Sequence, residues 1–193
     1  MNGSPGAPGS RPAPPSWSIF LVGLSGSGKS TVGPLLAERL SLPFIDTDAE
    51  IEAATGRTVA EIFDIEGEPT FRTLEHETIV RVAREGPAVV ATGGGAPMDP
   101  RSQRAMREAG VVIWLDAPTP ILADRLIAQG KRARPLLADD AQQTLERLRA
   151  ARVAVYADLG SRVDTSASPD TVVARIVAVL DRDSPRDPAE TSE

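Results

Sequence analysis

The feature that most constrains this sequence is a glycine-rich loop, Gly-Leu-Ser-Gly-Ser-Gly-Lys-Ser-Thr, at residues 23–31. It satisfies the G-x-x-x-x-G-K-[ST] pattern, follows an apolar run at 17–22 and precedes a helical pattern at 32–40. A strand, a glycine loop and a helix in this order let backbone N–H groups and the helix N-terminus face the phosphates of a nucleotide. The pattern therefore predicts a nucleoside triphosphate site and disfavours a chance glycine-rich turn.

Residues in this loop have assignable roles in binding the nucleotide. Lys29 is predicted to be catalytic because its side chain can reach the terminal phosphates, and the Ser30 hydroxyl is predicted to ligate Mg²⁺. Lys29 and Lys131 are the only lysines among 21 basic residues, so a compact, flexible ammonium group has been kept where the loop needs one. The residues predicted to bind the nucleotide are Gly26, Ser27, Gly28, Lys29, Ser30 and Thr31.

The composition excludes several other classes of protein. With 193 residues, of which 41% are hydrophobic and 25% charged, the chain is predicted to form one soluble globular domain. The net charge of −6 argues against nucleic acid as a partner, since phosphate neutralisation needs a basic surface. There is no cysteine, and the single histidine, His76, cannot by itself build a zinc site or a Ser-His-Asp triad. Without a membrane-spanning run or a signal peptide, we expect a cytoplasmic protein with no membrane partner. We also expect a monomer.

Both ends of the chain, residues 1–16 and 181–193, are predicted to be disordered tails because they offer little apolar surface. Between them, residues 17–180 alternate apolar runs with helical patterns, which predicts an α/β fold with a parallel sheet. The strand candidates are residues 19–24, 43–46, 88–92, 111–116 and 162–165.

Two stretches are longer than a crossover connection needs. Residues 49–85 contain helical pieces at 59–65 and 70–84 and are predicted to be a substrate-binding insertion. The polar residues 128–140 are predicted to be a mobile lid. Loops that rest on a rigid sheet are where binding residues usually lie. Pro34, inside the first helical pattern, is expected to bend that helix slightly.

Two carboxylates, in Asp46-Thr47-Asp48, close the second strand candidate. In a parallel sheet ligands bind beyond the carboxyl ends of the strands, so both carboxylates are expected on the side of the phosphate loop. One can order Mg²⁺ through water and the other can hold a substrate hydroxyl. Helix capping fits the same residues, with Thr47 or Asp48 as the N-cap of the following helix. The two interpretations are compatible, and the pattern leaves both open.

Other polar residues have a functional and a structural interpretation. The glycines at 93–95 follow a strand and either let a ligand touch the backbone or form a simple turn. Arg72 and Glu75 share a helix face, where surface pairs are common. Arg134 in the lid segment and Arg152 further along are each compatible with solvated surface. Taken singly, none of these arginines decides between the two interpretations.

Taken together, the motifs resemble the shikimate kinase family across roughly residues 17–180. The matching motifs, besides the phosphate loop, are Phe44-Ile45-Asp46-Thr47-Asp48, Phe71-Arg72-Thr73-Leu74-Glu75, Gly93-Gly94-Gly95, Arg134-Pro135-Leu136-Leu137, Arg152 with Tyr156, and Asp164-Thr165. The resemblance implies a P-loop NTPase fold of the nucleoside-monophosphate-kinase type. Its five-stranded parallel sheet would have the order 2-3-1-4-5 and carry a lid and a substrate-binding insertion.

The resemblance also implies ATP-dependent phosphorylation of the 3-hydroxyl of shikimate, a step toward chorismate and the aromatic amino acids. Asp48 would bind the substrate hydroxyls and take part in catalysis, and the backbone of Gly94 would contact the ring hydroxyls. Arg72 and Arg152 would bind the substrate carboxylate, for which arginine forks are suited.

On the nucleotide side, the family implies that Arg134 reaches the ATP phosphates from the lid as a catalytic residue. Asp46 would support, through water, the Mg²⁺ held by Ser30. The family often carries an arginine near the adenine before the final helix, and this chain has Ser-Ala-Ser-Pro there, at residues 166–169.

Two other classes of protein share the phosphate loop. A related small-molecule kinase, such as one for gluconate, needs no carboxylate-binding arginine pair placed in this way. A switch GTPase needs a guanine-reading N-K-x-D segment, and Lys131, which is followed by Arg132 and Ala133, cannot supply it.

Overall fold

The computed structural model describes residues 15–128 and 141–183. Its five strands form one parallel sheet in the order β2-β3-β1-β4-β5, which confirms the predicted fold and strand order. The strands are β1 (Ser18–Val22), β2 (Phe44–Asp46), β3 (Val89–Ala91), β4 (Gly110–Asp116) and β5 (Ser161–Asp164).

Helices connect the strands and cover both faces of the sheet. In the described residues they are α1 (Lys29–Leu40), α2 (Thr47–Thr55), α3 (Val59–Glu85), α4 (Pro100–Ala109), α5 (Thr119–Ala128), α6 (Ala141–Leu159) and α7 (Pro169–Asp183), with a short 3₁₀ helix at Ala96–Met98. Helical crossovers of this kind are what joins neighbouring parallel strands.

Apolar side chains pack against each face of the sheet. Along β1, Phe20 and Val22 point to the face covered by α3, α4, α5 and α6. Ile19 and Leu21 point to the opposite face, covered by α1 and α7. Burying a side chain of this size stabilises the fold by about 1.5–3 kcal/mol. Because both faces are covered, the strands are continuous apolar runs without alternation, as the sequence indicated.

The observed strand bounds differ from the predicted ones by one or two residues, and two boundaries of the fold have identifiable local reasons. The first strand ends at Val22, before the predicted residue 24, because Gly23 turns the chain with a φ of 142°. The C-terminal tail was predicted to begin at Asp181, which is wrong, since α7 continues to Asp183. The apolar residues Val179 and Leu180 hold this last turn of α7 against the sheet.

The insertion between β2 and β3 contains a break in α3. Gly67 has φ 83° and ψ 166°, which is not helical, and it separates the two helical pieces that the sequence predicted. The part of α3 before the break packs on α2 through Ile51 and Ile62. Phe71, just beyond the break, completes this small cluster. The insertion thus has its own apolar core beside the sheet.

Candidate active site

The carboxyl ends of the strands bring the predicted site residues to one edge of the sheet. In the register, Asp46 pairs with Ala91, Leu21 also pairs with Ala91, and Val22 pairs with Trp114. The phosphate loop after β1 is therefore flanked by the glycine run after β3 on one side and by the end of β4 on the other.

The phosphate loop is shaped by glycines that no other residue could replace without strain. Gly28 caps α1 with a φ of 98°, and a Cβ at Gly23 would lie 2.3 Å from the Leu115 carbonyl oxygen. The Lys29 Nζ donates to the carbonyl oxygens of Gly23, at 2.8 Å, and Leu24, at 3.1 Å. The ammonium group is thus held within the loop by the loop's own backbone, where its charge can meet that of a phosphate.

Two side-chain oxygens from different elements meet at the start of α1. The Ser30 hydroxyl donates to Asp46 Oδ2 at 3.1 Å, and Asp46 Oδ1 accepts from the backbone N–H of Asp48, also at 3.1 Å. Asp46 is therefore the N-cap of α2, and the prediction that Thr47 or Asp48 caps this helix is wrong. By its pattern Asp46 belongs to the strand, but its side chain turns back onto the helix and caps it.

The donors at this position fit Mg²⁺. Mg²⁺ prefers oxygen ligands and is usually held by one or two protein groups, with phosphates and waters completing its shell. Ser30 and Asp46 supply that kind of incomplete set. Within residues 15–128 and 141–183, no group of three or more histidines or carboxylates could hold a metal alone.

Two glycines of the run at 93–95 make room for charged side chains. A Cβ at Gly93 would lie 2.1 Å from Glu75 Oε1 and 3.0 Å from Asp48 Oδ1. A Cβ at Gly95 would lie 2.3 Å from the Arg72 guanidinium. Only hydrogen in place of a side chain leaves space for these groups, so the close approach of the chain's own side chains requires glycine at both positions. Contact of a ligand with this backbone stays a prediction.

The middle glycine joins the run to α6. The carbonyl oxygen of Gly94 accepts from Arg152 Nη1 at 2.9 Å and from the Tyr156 hydroxyl at 2.6 Å. Arg152 and Tyr156 are one helical turn apart on α6, so a single helix face supplies both donors. The structure therefore brings Asp48, Arg72, Gly94 and Arg152 together around the glycine run.

Two carboxylates of its own helix bind Arg72. Its Nη1 donates to Glu75 Oε2 at 2.7 Å, and its Nε and Nη2 donate to Glu68 Oε1 at 3.2 and 2.9 Å. The Glu75 side chain is only 2% exposed, whereas that of Glu68 is 62% exposed. The Glu75 end of this pair is thus buried in the site, although in sequence the pair looks like any surface pair.

Glu75 has one oxygen directed at the glycine run. Its Oε1 is buried and has no hydrogen-bond partner among the described residues. Burial raises the pKa of Glu75, the Arg72 guanidinium opposes this rise, and the nearby Asp48 carboxylate adds to it. Carboxylates whose pKa is perturbed in this way are common at functional sites.

Sequence reasoning missed two arginine contacts at this edge. Arg125 of α5 donates to the Gly26 carbonyl oxygen at 3.4 Å and to that of Thr165 at 2.5 Å. An arginine therefore does reach the end of β5, but it comes from α5 and not from residues 166–169. Arg149 of α6 binds Asp116 at the end of β4. Neither pairing leaves a signal in the sequence, since the partners are 40 and 33 residues apart.

Some predicted features lie beyond these observations. Arg134 and the lid residues 129–140 lie outside the described residues. No helix of the described part of the chain is long and apolar enough to cross a membrane.

Comparisons of the sequence with known proteins all identify the same family. The sequence profile of the family described as shikimate kinase matches residues 25–181. The shikimate kinase of Symbiobacterium thermophilum is 49% identical over 166 residues, which are 84% of this chain and 95% of that protein. The shikimate kinase of Mesorhizobium japonicum is 44% identical over 160 residues, which are 82% of this chain and 78% of that protein.

Solved structures agree with the sequence relatives. A shikimate kinase from Acinetobacter baumannii, solved in complex with shikimate, superposes with a TM-score of 0.80 at 32% identity and covers 91% of this chain and 97% of its own. The shikimate kinase from Aquifex aeolicus gives a TM-score of 0.74 at 31% identity and covers 85% of this chain and 96% of its own. The phosphate loop, and the glycine run with the charged side chains around it, thus lie in a fold that both proteins share. This chain belongs to the shikimate kinase family.

Proposed function

We propose that this chain transfers the terminal phosphoryl group of ATP to the 3-hydroxyl of shikimate, giving shikimate 3-phosphate and ADP. One observation carries the proposal. Arg72 of the insertion and Arg152 of α6, far apart in sequence, both meet the glycine run beside Asp48. Two guanidinium groups next to a carboxylate suit a substrate that offers a carboxylate at one end and hydroxyls at the other.

Different groups bind the two ends of the substrate. Arg72 and Arg152 bind the carboxylate of shikimate, and the backbone of Gly94 contacts the ring hydroxyls. Asp48 binds the acceptor hydroxyl, orients it toward the phosphate loop and accepts its proton as the bond to phosphorus forms. Phosphoryl transfer depends mainly on such positioning and on neutralising charge.

The nucleotide is held by the phosphate loop. Residues 26–31 bind the ATP phosphates through backbone N–H groups, and Lys29 neutralises the charge that develops on the transferred group. Arg134 is proposed to bind the same phosphates from the lid. Mg²⁺ would be held by Ser30 directly and by Asp46 through water, and when bound it would offset further phosphate charge.

The arginine pair tests the choice of substrate. Arg72→Lys and Arg152→Lys each keep the charge but lose the planar fork. A charge-assisted contact is worth about 1.5–3 kcal/mol, so the KM for shikimate should rise roughly tenfold or more, while the KM for ATP moves much less. The measurement is ADP release at varied concentrations of each substrate.

Arg81→Lys is the matched control for Arg72→Lys, because Arg81 lies on the same helix and binds only the exposed carboxylates of Glu50 and Glu85 in the described structure. It should leave both KM values unchanged. An equal loss of affinity for shikimate and for an analogue without the carboxylate would contradict the assignment.

A panel of shikimate, quinate and gluconate separates this activity from that of a related sugar-acid kinase. A monomeric state and a cytoplasmic location stay predictions.

A further inference from the structure

A buried carboxylate outside the substrate contacts lies at the end of β4. The Asp116 side chain is only 3% exposed, and two arginines bind it. Arg149 donates to both of its oxygens, with Nη2 2.7 Å from Oδ2, and Arg162 donates from Nε to Oδ2 at 2.8 Å. A carboxylate this buried is retained only with such partners, because burying a lone charge is costly.

The first arginine connects Asp116 to the helix that carries Arg152. Arg149 and Arg152 are three residues apart on α6 and so lie on neighbouring parts of one helix surface. Arg149 Nη1 also donates to the Ala117 carbonyl oxygen at 3.2 Å, so its guanidinium is tied to the end of β4 by side chain and backbone together. Planar bidentate contacts of this kind fix orientation as well as distance. They therefore set where this part of α6 lies above the sheet.

The second arginine reaches the same place through aromatic rings. The Arg162 guanidinium lies 5.6 Å from the centre of the Trp114 ring, and that ring lies 5.9 Å from the ring of Tyr156. Tyr156 donates its hydroxyl to the Gly94 carbonyl oxygen, beside Arg152. Asp116 is thus connected to the Gly94 contact through Arg149 on one side and through Arg162 on the other.

We propose that Asp116 is a positioning residue for the substrate-carboxylate site, acting through Arg149 to hold α6 where Arg152 can bind the carboxylate. The inference rests on the role of Arg152 proposed above. Without the charge of Asp116, the two guanidinium groups beside it repel each other and lose their common anchor. Arg152 would then be present but misplaced.

The primary test is Asp116→Asn, which keeps the size of the side chain and removes its charge. The KM for shikimate should rise roughly five- to tenfold, as for a contact that is weakened and not deleted. The KM for ATP should stay within about twofold, since no phosphate contact is touched. Arg149→Lys should act in the same direction, and it leaves the Asp116 charge in place if the asparagine variant fails to fold.

A double variant distinguishes positioning from a general loss of stability. If Asp116 acts through Arg152, adding Asp116→Asn to Arg152→Lys should raise the KM for shikimate by less than the product of the two single effects. Asp158→Asn is the matched control, because Asp158, on α6, also binds an arginine, Arg107 of α4, but at an exposed position. It should change neither KM.

The outcomes separate this inference from the proposed function. The inference alone would be overturned if Arg152→Lys raised the KM for shikimate while Asp116→Asn and Arg149→Lys did not. A lower melting temperature with unchanged KM values in both of those variants would also overturn it. No effect of Arg152→Lys would overturn the role of Arg152 and the inference with it.

Discussion

At the scale of single residues, a variant of Asp48 tests whether its proposed role belongs to the chemical step or to nucleotide binding. Asp48→Asn keeps the shape of the side chain but removes the charge and basicity assigned to the acceptor hydroxyl. We expect turnover to fall by roughly 100-fold or more, as for loss of a general base, while ATP affinity changes little. Single-turnover rates and ATP titration measure the two effects separately. If turnover at saturating ATP survived while the affinity for ATP fell sharply, Asp48 would instead have the role assigned to Asp46.

Glu75 makes the stability of the site dependent on pH. Burial raises its pKa above the ordinary value of 4.5, so the folded chain holds this proton more tightly than the unfolded chain does. That contribution to the free energy of unfolding is complete below pH 4.5 and is lost as the pH rises through the raised pKa. The charged groups that act on Glu75 are Arg72, Asp48 and Arg152.

Glu75→Gln removes this titration. The free energy of unfolding of the unsubstituted protein, relative to that of the variant, should therefore fall as the pH rises from about 4.5. Denaturant unfolding of both proteins at several pH values between roughly 4 and 8 measures the difference. Titrations common to both proteins cancel in it. A difference that grows with pH would mean that the carboxylate is stabilised by its neighbours and that its pKa is lowered.

Residue-scale reasoning from the sequence assigns roles where a motif indicates its own chemistry, as at Lys29 and Ser30, and those roles stay predictions. It failed where burial decides the meaning of a pair. Arg72 with Glu75 and Arg81 with Glu85 are both close pairs on α3, yet the Glu75 side chain is 2% exposed and the Glu85 side chain 50%. Spacing along a helix cannot distinguish them, because exposure depends on what packs above the helix.

At the scale of elements, the conformation of the break in α3 has a measurable effect on the free energy of unfolding when its glycine is replaced. Gly67, with φ 83° and ψ 166°, lies in a region that only glycine adopts readily, whereas Gly56, with φ 68° and ψ 16°, lies near the left-handed region that asparagine tolerates. Neither position is sterically crowded: nothing lies within 4 Å of a Cβ at Gly56, and at Gly67 the contact is Pro69 Cδ at 3.6 Å. Backbone conformation is therefore the main difference between them.

Gly67→Asn should reduce the free energy of unfolding by about 1–3 kcal/mol, and Gly56→Asn should reduce it much less. Denaturant unfolding measures both. Equal losses would show that α3 can straighten at Gly67, so that the break is not imposed by packing. The sequence predicted the two helical pieces of α3 correctly because Gly67 and Pro69 interrupt the pattern, but it could not give the angle between them.

At the scale of the whole molecule, the strand order creates the site. With β1 central, the phosphate loop lies between the end of β3, which carries the glycine run, and the end of β4, which carries Asp116. Hydrophobic periodicity predicted five strands and a parallel sheet, but the order came only from the resemblance to a family. Contacts such as that of Asp116 with Arg149 depend on this order and on residues distant in sequence, so no local pattern could predict them.

The contact between Trp114 and Tyr156 offers an optical readout of the proposed substrate site. Tyr156 is the only tyrosine and donates to the Gly94 carbonyl oxygen, while Trp17, the other tryptophan, packs against the opposite core. Trp17→Phe should leave a single tryptophan, Trp114, whose fluorescence changes when shikimate is added in the absence of ATP. A titration of that variant would give the dissociation constant directly. A fluorescence response to shikimate in the unsubstituted protein that is lost in Trp17→Phe would mean that Trp114 does not sense the site.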